Sequence, residues 1–212
     1  AENIQWTILA PSQIDAIRAP GQDWIKTSLE NLDSRAPYSW TSPFDPNRKL
    51  TLFVYHDEIS RGVVSGEILT RSQRFTQSVM DEFSAAGDSQ IITIASDGEF
   101  YGHHHPGKQH ILVQSLEALS AEGIQLINFS RYLRLFRPAC EARIRPRTAW
   151  SCPHGLGRWE SDCGCRSAHL PDWSQSWRGP LRESLELLAQ RLDEFYEVEA
   201  GRFFHDPWAA RD

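Results

Sequence analysis

The chain has 212 residues, 40% hydrophobic and 24% charged, with a formal net charge of −6. This is ordinary globular usage, enough for one large domain or two small ones with a sizeable core. The acidic balance leaves no basic stripe to neutralise phosphates, which excludes general nucleic-acid binding, and no run approaches the ~20 apolar residues that span a bilayer. The N-terminal "AENIQWTILAP" has neither a basic region nor a signal-like apolar core. It lacks an initiator Met and enters a strand within a few residues, as expected of a fragment of a longer chain. Four cysteines make no disulfide scaffold at this length; they point to thiols in a reducing, cytoplasmic setting or to a local metal site.

In chain order, "WTILA" (6–10) reads as the first buried strand. Residues 11–48 are rich in Pro, Ser and Asp and weakly periodic, which predicts a long insertion of the kind that forms lids or binding loops. "KLTLFVYH" (49–56) is the second strand, and Asp57 stands at its end. "QRFTQSVMDEFSAAG" (73–87) spaces Phe75, Val79 and Phe83 four apart, a helical pattern with Gly87 as its C-terminal cap. "QIITIAS" (90–96) is a third strand, and "GKQHILVQSLEALSAEG" (107–123) a second helix ending at Gly123. "IQLINF" (124–129) and "EARIRP" (141–146) complete five strands. Residues 145–178 form a second long loop. "GPLRESLELLAQRLDEFYEVEAG" (179–201) is a long amphipathic helix, with Pro180 in its first turn and Gly201 past its end. Continuously apolar strands alternating with helices predict an α/β fold with a parallel sheet covered on both faces.

Function in such folds gathers just past the carboxyl ends of strands. Asp97 stands there, in "ASDGEFYGHHHPG" (95–107), with Gly98 allowing a sharp turn that would bring Glu99 to the same cleft. A carboxyl group in an apolar setting can have its pKa raised and serve as a general acid. Glu99, His103, His104 and His105 could then hold substrate hydroxyls or tune the acid. The alternative is a helix N-terminus with capping acids and solvated histidines. Asp57 would project into the same cleft, and Gln13 is a weaker case of the same logic. In "CPHGLGRWESDCGC", Cys152, His154, Cys163 and Cys165 supply four soft ligands suited to tetrahedral zinc, but C-x-H and C-x-C are tighter than the usual spacing. His154 could instead line the substrate pocket, and Cys140 reads as a small buried residue. Trp150, Trp159 and Trp177 could stack on sugar faces or simply pack the loop.

At these residues a resemblance enters. "SDGEFYGHHH" resembles the Asp-centred motif of the family-57 glycoside hydrolases. Together "WTILAPSQ", "LFVYHDEISRGV", "DGEFYGHHHPG", "TAWSCPHGLGRWESDCGC", "WRGPLRESL" and "DPWAARD" resemble a bacterial α-amylase/α-mannosidase-like subgroup of that family, over nearly the whole chain. The resemblance implies a distorted (β/α)7 barrel, α-glucan or related substrates, and retaining chemistry with a Glu nucleophile and an Asp acid/base. It maps the acid to Asp97 and pocket positions to Glu99, His103 and His104. The nucleophile of the family precedes a strand like "TILAP", so it is expected to be missing from this chain. The expectation is therefore the C-terminal part of a catalytic barrel in residues 1–147, completed by the N-terminal part of the parent, with a free strand edge at residues 6–10 and little activity alone. Residues 148–212 would add an active-site loop, folded over the cleft of Asp97, and a C-terminal helix packed on the same domain. No cofactor is expected, and zinc at the Cys/His cluster stays an open alternative. Two other readings stand beside it: a metal-stabilised binding or structural module, and a metal-dependent deacetylase-like barrel using the Asp and His run.

Overall fold

Apolar content draws the first and fifth of six strands together at the edge of one mixed sheet. The computed structural model describes residues 4–28, 31–84, 89–165 and 173–211. The strands are β1 (Trp6–Leu9), β2 (Ile14–Arg18), β3 (Ile25–Lys26), β4 (Tyr38–Thr41), β5 (Lys49–Val54) and β6 (Cys140–Ile144). Their order is β1-β5-β4-β6-β2-β3. β1 and β5 run parallel, as do β4 and β6, whereas β4 with β5, β2 with β6 and β2 with β3 are antiparallel. The sheet is thus mixed, not parallel. Among the described residues β1 pairs with β5 alone, leaving a free edge at residues 6–9.

The supposed insertion at 11–48 holds three of these strands. Their apolar signal is weak because each buries few side chains: Ile14 and Ala16 in β2, and Tyr38 in β4. Partners more than a hundred residues away, such as Ala142 opposite Ile17 and Cys140 opposite Tyr38, stabilise β2 and β4 through backbone pairing that no local pattern reports.

Conversely, two strongly apolar runs form no ladder. Residues 91–97 and 124–128 lie outside every strand. The first is held beside the sheet by single bonds: the His56 N–H donates to the Thr93 carbonyl (2.8 Å) and the Ile91 N–H to the Arg35 carbonyl (2.8 Å). Both runs line one apolar cavity of about 900 Å³, with Ile92 and Ile94 from one and Ile124 and Ile127 from the other. Apolarity reports burial; it does not supply a neighbouring backbone with free hydrogen-bonding groups.

Helices α1 (Asp57–Ser65), α2 (Ser72–Met80) and α3 (Gln109–Ala121) pack through Val63, Leu69, Phe75, Ile111 and Leu119, and α4 (Phe129–Leu135) follows. α2 ends at Met80, short of the expected helix, and Gly87 lies outside the described residues. Gly123, at φ +86°, turns the chain after α3 so that the Ile124 N–H reaches the Leu119 carbonyl.

The chain divides into Ala1–Pro146, which contains all of these elements, and Arg147–Asp212. The second unit carries α5 (Gly157–Glu160), α6 (Arg178–Glu199) and α7 (Pro207–Arg211). α6 continues into a 3₁₀ turn at Ala200–Arg202, so Gly201 sits inside that turn. Along α6, Leu181, Leu185, Leu188, Leu192 and Phe195 are exposed. No helix among the described residues is long and apolar enough to cross a membrane.

Candidate functional site

Because β1 and β5 are parallel, their carboxyl ends emerge together, joined by the Tyr55 N–H donating to the Leu9 carbonyl (3.1 Å). Just beyond lies a polar cleft of about 440 Å³, lined by Pro11, Asp33, Arg35, His56, Asp57 and Glu82 among others. His56 caps α1: its Nδ1 accepts from the Ile59 N–H (3.4 Å), so its Nε2–H points to Glu82 Oε2 (2.9 Å). This fixes the ring's tautomer. Asp57 pairs with Arg61 one turn along α1 (2.9 Å). Arg35 holds Asp33 in a fork, donating from Nε (2.8 Å) and Nη2 (3.2 Å). Burial pushes the Asp33 carboxyl up, but these bonds and the Arg35 charge outweigh it and hold the group below its ordinary value. Burial, with Asp57 adding to it, raises the pKa of Tyr55, which precedes His56 in the chain.

Asp57 and His56 were legible as strand-end residues. Asp33, Arg35 and Glu82 were not, since they lie in a polar stretch and at the frayed end of a helical pattern. Trp24, clasped by Arg18 and Arg143 at 4.4 and 4.2 Å from its ring centre, also carried no sequence signal.

Asp97, Glu99, His103, His104 and His105 lie outside this lining. Asp97 precedes a 3₁₀ turn at Gly98–Tyr101, and its side chain makes no capping bond to it. It is exposed, as are Glu99, His103 and His104, so the apolar setting expected around the acid is not provided by the described residues. The turn is tied down by the Ser96 hydroxyl on Tyr101 Oη (3.2 Å) and by the His103 and His104 N–H groups on the Glu99 carbonyl (both 2.9 Å). His105 is different. Its Nε2–H donates to the Val64 carbonyl (3.0 Å), and its ring packs on Gly66, which is at φ +77°. His105 thus fastens the loop to the end of α1. Among the described residues, the His run assembles no group of three metal donors. Gln13 serves locally, accepting from the Ala10 N–H (3.0 Å).

In the second unit, Cys152, His154, Cys163 and Cys165 converge, with all four donor atoms within 4.8 Å of one another. Burial raises the Cys152 thiol pKa, but hydrogen bonding with His154, Cys165 and Cys163 outweighs it and brings it down to about 7; burial and the neighbouring thiols push Cys165 up to about 11. Arg147 clamps the loop by donating to both Glu160 carboxylate oxygens (3.1 and 2.9 Å). Trp150, Trp159 and Trp177 are exposed, and Trp177 has the Arg178 guanidinium 5.7 Å from its ring centre. Cys140, at the start of β6, is half-buried.

These features define a mixed α/β protein with a six-stranded sheet and flanking helices, similar in fold to an amylase. The solved structure of an exo-type maltose-forming amylase from Pyrococcus sp. ST04 superposes with a TM-score of 0.66 at 14% identity, over 93% of this chain and 35% of that one. A 4-alpha-glucanotransferase from Thermococcus litoralis gives 0.49 at 16% identity, over 75% of this chain and 21% of that one. At such identities the likeness is one of fold, and the chain spans about a third of the amylase's length. Residues 173–212 match the model of a Domain of unknown function (DUF3536). No curated protein matches the chain.

Proposed function

We propose that the chain is part of a carbohydrate-active enzyme of the glycoside hydrolase family 57 type, hydrolysing or transferring α-glycosidic bonds in an α-glucan or related oligosaccharide. The observation that carries this is the fold likeness to the maltose-forming amylase across nearly the whole chain. The polar cleft at the carboxyl ends of β1 and β5 supports it, because carboxylates, a guanidinium and an imidazole are the groups that hydrogen-bond sugar hydroxyls. Asp97 is the general acid, Glu99 orients it, and Asp57, His103 and His104 contact substrate. Asp97 is exposed here, so the sugar seated over it excludes the water. Retaining cleavage needs a second carboxylate ~5 Å away. In this reading it comes from outside residues 1–212, from the remainder of a parent barrel.

The test uses the complete parent enzyme. Asp97→Asn keeps the shape of the side chain but cannot donate a proton, and general acid catalysis contributes ~10²–10⁴-fold. kcat/KM on a natural α-glucan should fall by about that factor, while a nitrophenyl glycoside, whose leaving group needs little protonation, should lose far less. Glu99→Gln should weaken both substrates alike. Near-normal glucan cleavage by Asp97→Asn, or leaving-group dependence in Glu99→Gln instead, removes the assignment.

A further inference from the structure

We infer that Cys152, His154, Cys163 and Cys165 form a closed tetrahedral zinc site that holds Arg147–Asp212 together. Zinc bonds sulfur at about 2.3 Å and imidazole nitrogen at about 2.0–2.1 Å, so a tetrahedral ion separates two sulfurs by about 3.8 Å and a sulfur and a nitrogen by about 3.6 Å. Cys152 Sγ lies 3.9 Å from Cys163 Sγ and 3.8 Å from Cys165 Sγ. His154 Nδ1 lies 3.8 Å from Cys152 Sγ and 3.4 Å from Cys165 Sγ. Four of the six separations thus fall close to the edges of such a tetrahedron, and the other two are within 4.8 Å. The distances from Cys152 Sγ to the other two sulfurs are nearly twice the ~2.05 Å of a disulfide. Thiols are also weak donors and acceptors, and have little power to gather three sulfurs and an imidazole by hydrogen bonding alone.

The tight C-x-H and C-x-C spacings become workable through glycine. Gly155 is at φ +69°, and a Cβ there would stand 2.4 Å from the Arg147 carbonyl oxygen. Gly164, at φ +79°, turns the chain between Cys163 and Cys165. A Cβ on Gly157 would meet the Cβ atoms of Cys163 and His154 at 3.3 Å, so the two ligand loops close directly upon each other. Ligation through Nδ1, the ring nitrogen nearer the backbone, suits the short spacing.

A second, independent observation points the same way. Within Arg147–Asp212, the buried residues among those described are Cys152, Gln175 and Ala200. A unit this small without an apolar core needs another source of stability, and structural zinc supplies folding free energy directly. Four protein donors leave no open position, so the ion is structural and does not activate water. Binding releases the thiol protons to solvent and leaves zinc thiolates. His154 is thereby a ligand and not a substrate contact.

The experiment is metal analysis of the full chain, purified under reducing conditions without chelator. About one zinc per chain is expected. Cobalt exchanged into the unaltered protein should give the strong visible bands of a tetrahedral site with thiolate-to-cobalt charge transfer in the near ultraviolet. His154→Cys should keep the metal and intensify that charge transfer, whereas Cys163→Ser should lose most of it on dialysis. The cobalt spectrum needs no variant, so misfolding of a cysteine mutant does not obscure the answer. A chain without zinc as purified that also takes up none when it is supplied, or a weak octahedral cobalt spectrum, overturns the inference. So does full zinc retention by the Cys152→Ser/Cys163→Ser double variant. None of these outcomes bears on the roles given to Asp97, Glu99 and Asp57, which lie in Ala1–Pro146.

Discussion

His105 and Gly66 illustrate how a single contact sorts neighbouring histidines into different roles. A Cβ at position 66 would lie 2.7 Å from His105 Cε1, and the backbone there is left-handed at φ +77°. Gly66→Ala should therefore cost more than about 1 kcal/mol. His105→Ala should cost about 0.5–1.5 kcal/mol, because the Val64 carbonyl loses its donor. Combining them removes the collision, so urea unfolding of the double variant should show a loss smaller than the two added. A strictly additive pair would mean that ring and glycine do not touch. His103→Ala, on an exposed residue, should stay within about 0.5 kcal/mol of the parent. Asp33 adds a pH signature. Its folded pKa lies below its unfolded one, despite burial, through the Arg35 bonds. The stabilisation is complete above the unfolded value and disappears as pH falls through the folded one. The Tm gap between the wild type and Asp33→Asn should accordingly be widest near neutrality and narrow below about pH 4; a gap that widens in acid would reverse the sign.

At the level of elements, β5 is the hinge of the packing. Phe53 is buried between Trp6 of β1 and Phe129 and Tyr132 of α4, with ring centres 6.2, 4.5 and 5.9 Å away. One side chain thus docks a helix onto the parallel strand pair whose carboxyl ends open the cleft. Phe53→Ala should lose about 3–5 kcal/mol, and Phe53→Leu clearly less, since most of the volume stays filled. Chemical denaturation measures both, and equal losses would mean that ring packing contributes nothing beyond size.

For the whole molecule, stability is unevenly distributed. Among the described residues, the three apolar clusters lie within Ala1–Pro146, built around Phe75, Leu52 and Phe53. Residues 1–146 expressed alone should keep a near-ultraviolet circular dichroism spectrum and a cooperative urea transition. Residues 147–212 alone should show such a transition only with zinc present. A zinc-independent transition in that piece would point to a core not seen among its described residues.

The chain itself determined more than its periodicities alone suggest. The β1 and β5 runs, the helices at α2, α3 and α6, the strand-end placement of His56 and Asp57, and the gathering of Cys152, His154, Cys163 and Cys165 in one loop were all legible. Each rests on local chemistry: apolar runs that must be buried, or ligands close in sequence. What only the tertiary structure decided depends on distant backbone. Ile14, Ala16 and Tyr38 became strand residues because β6 and β5 offered pairing partners, whereas the more apolar residues 91–96 and 124–128 found no ladder. Glu82 reached His56, and Arg35 reached the same cleft, through chain crossings that no spacing reports. Burial is written in composition, but pairing and side-chain convergence are properties of which segments meet.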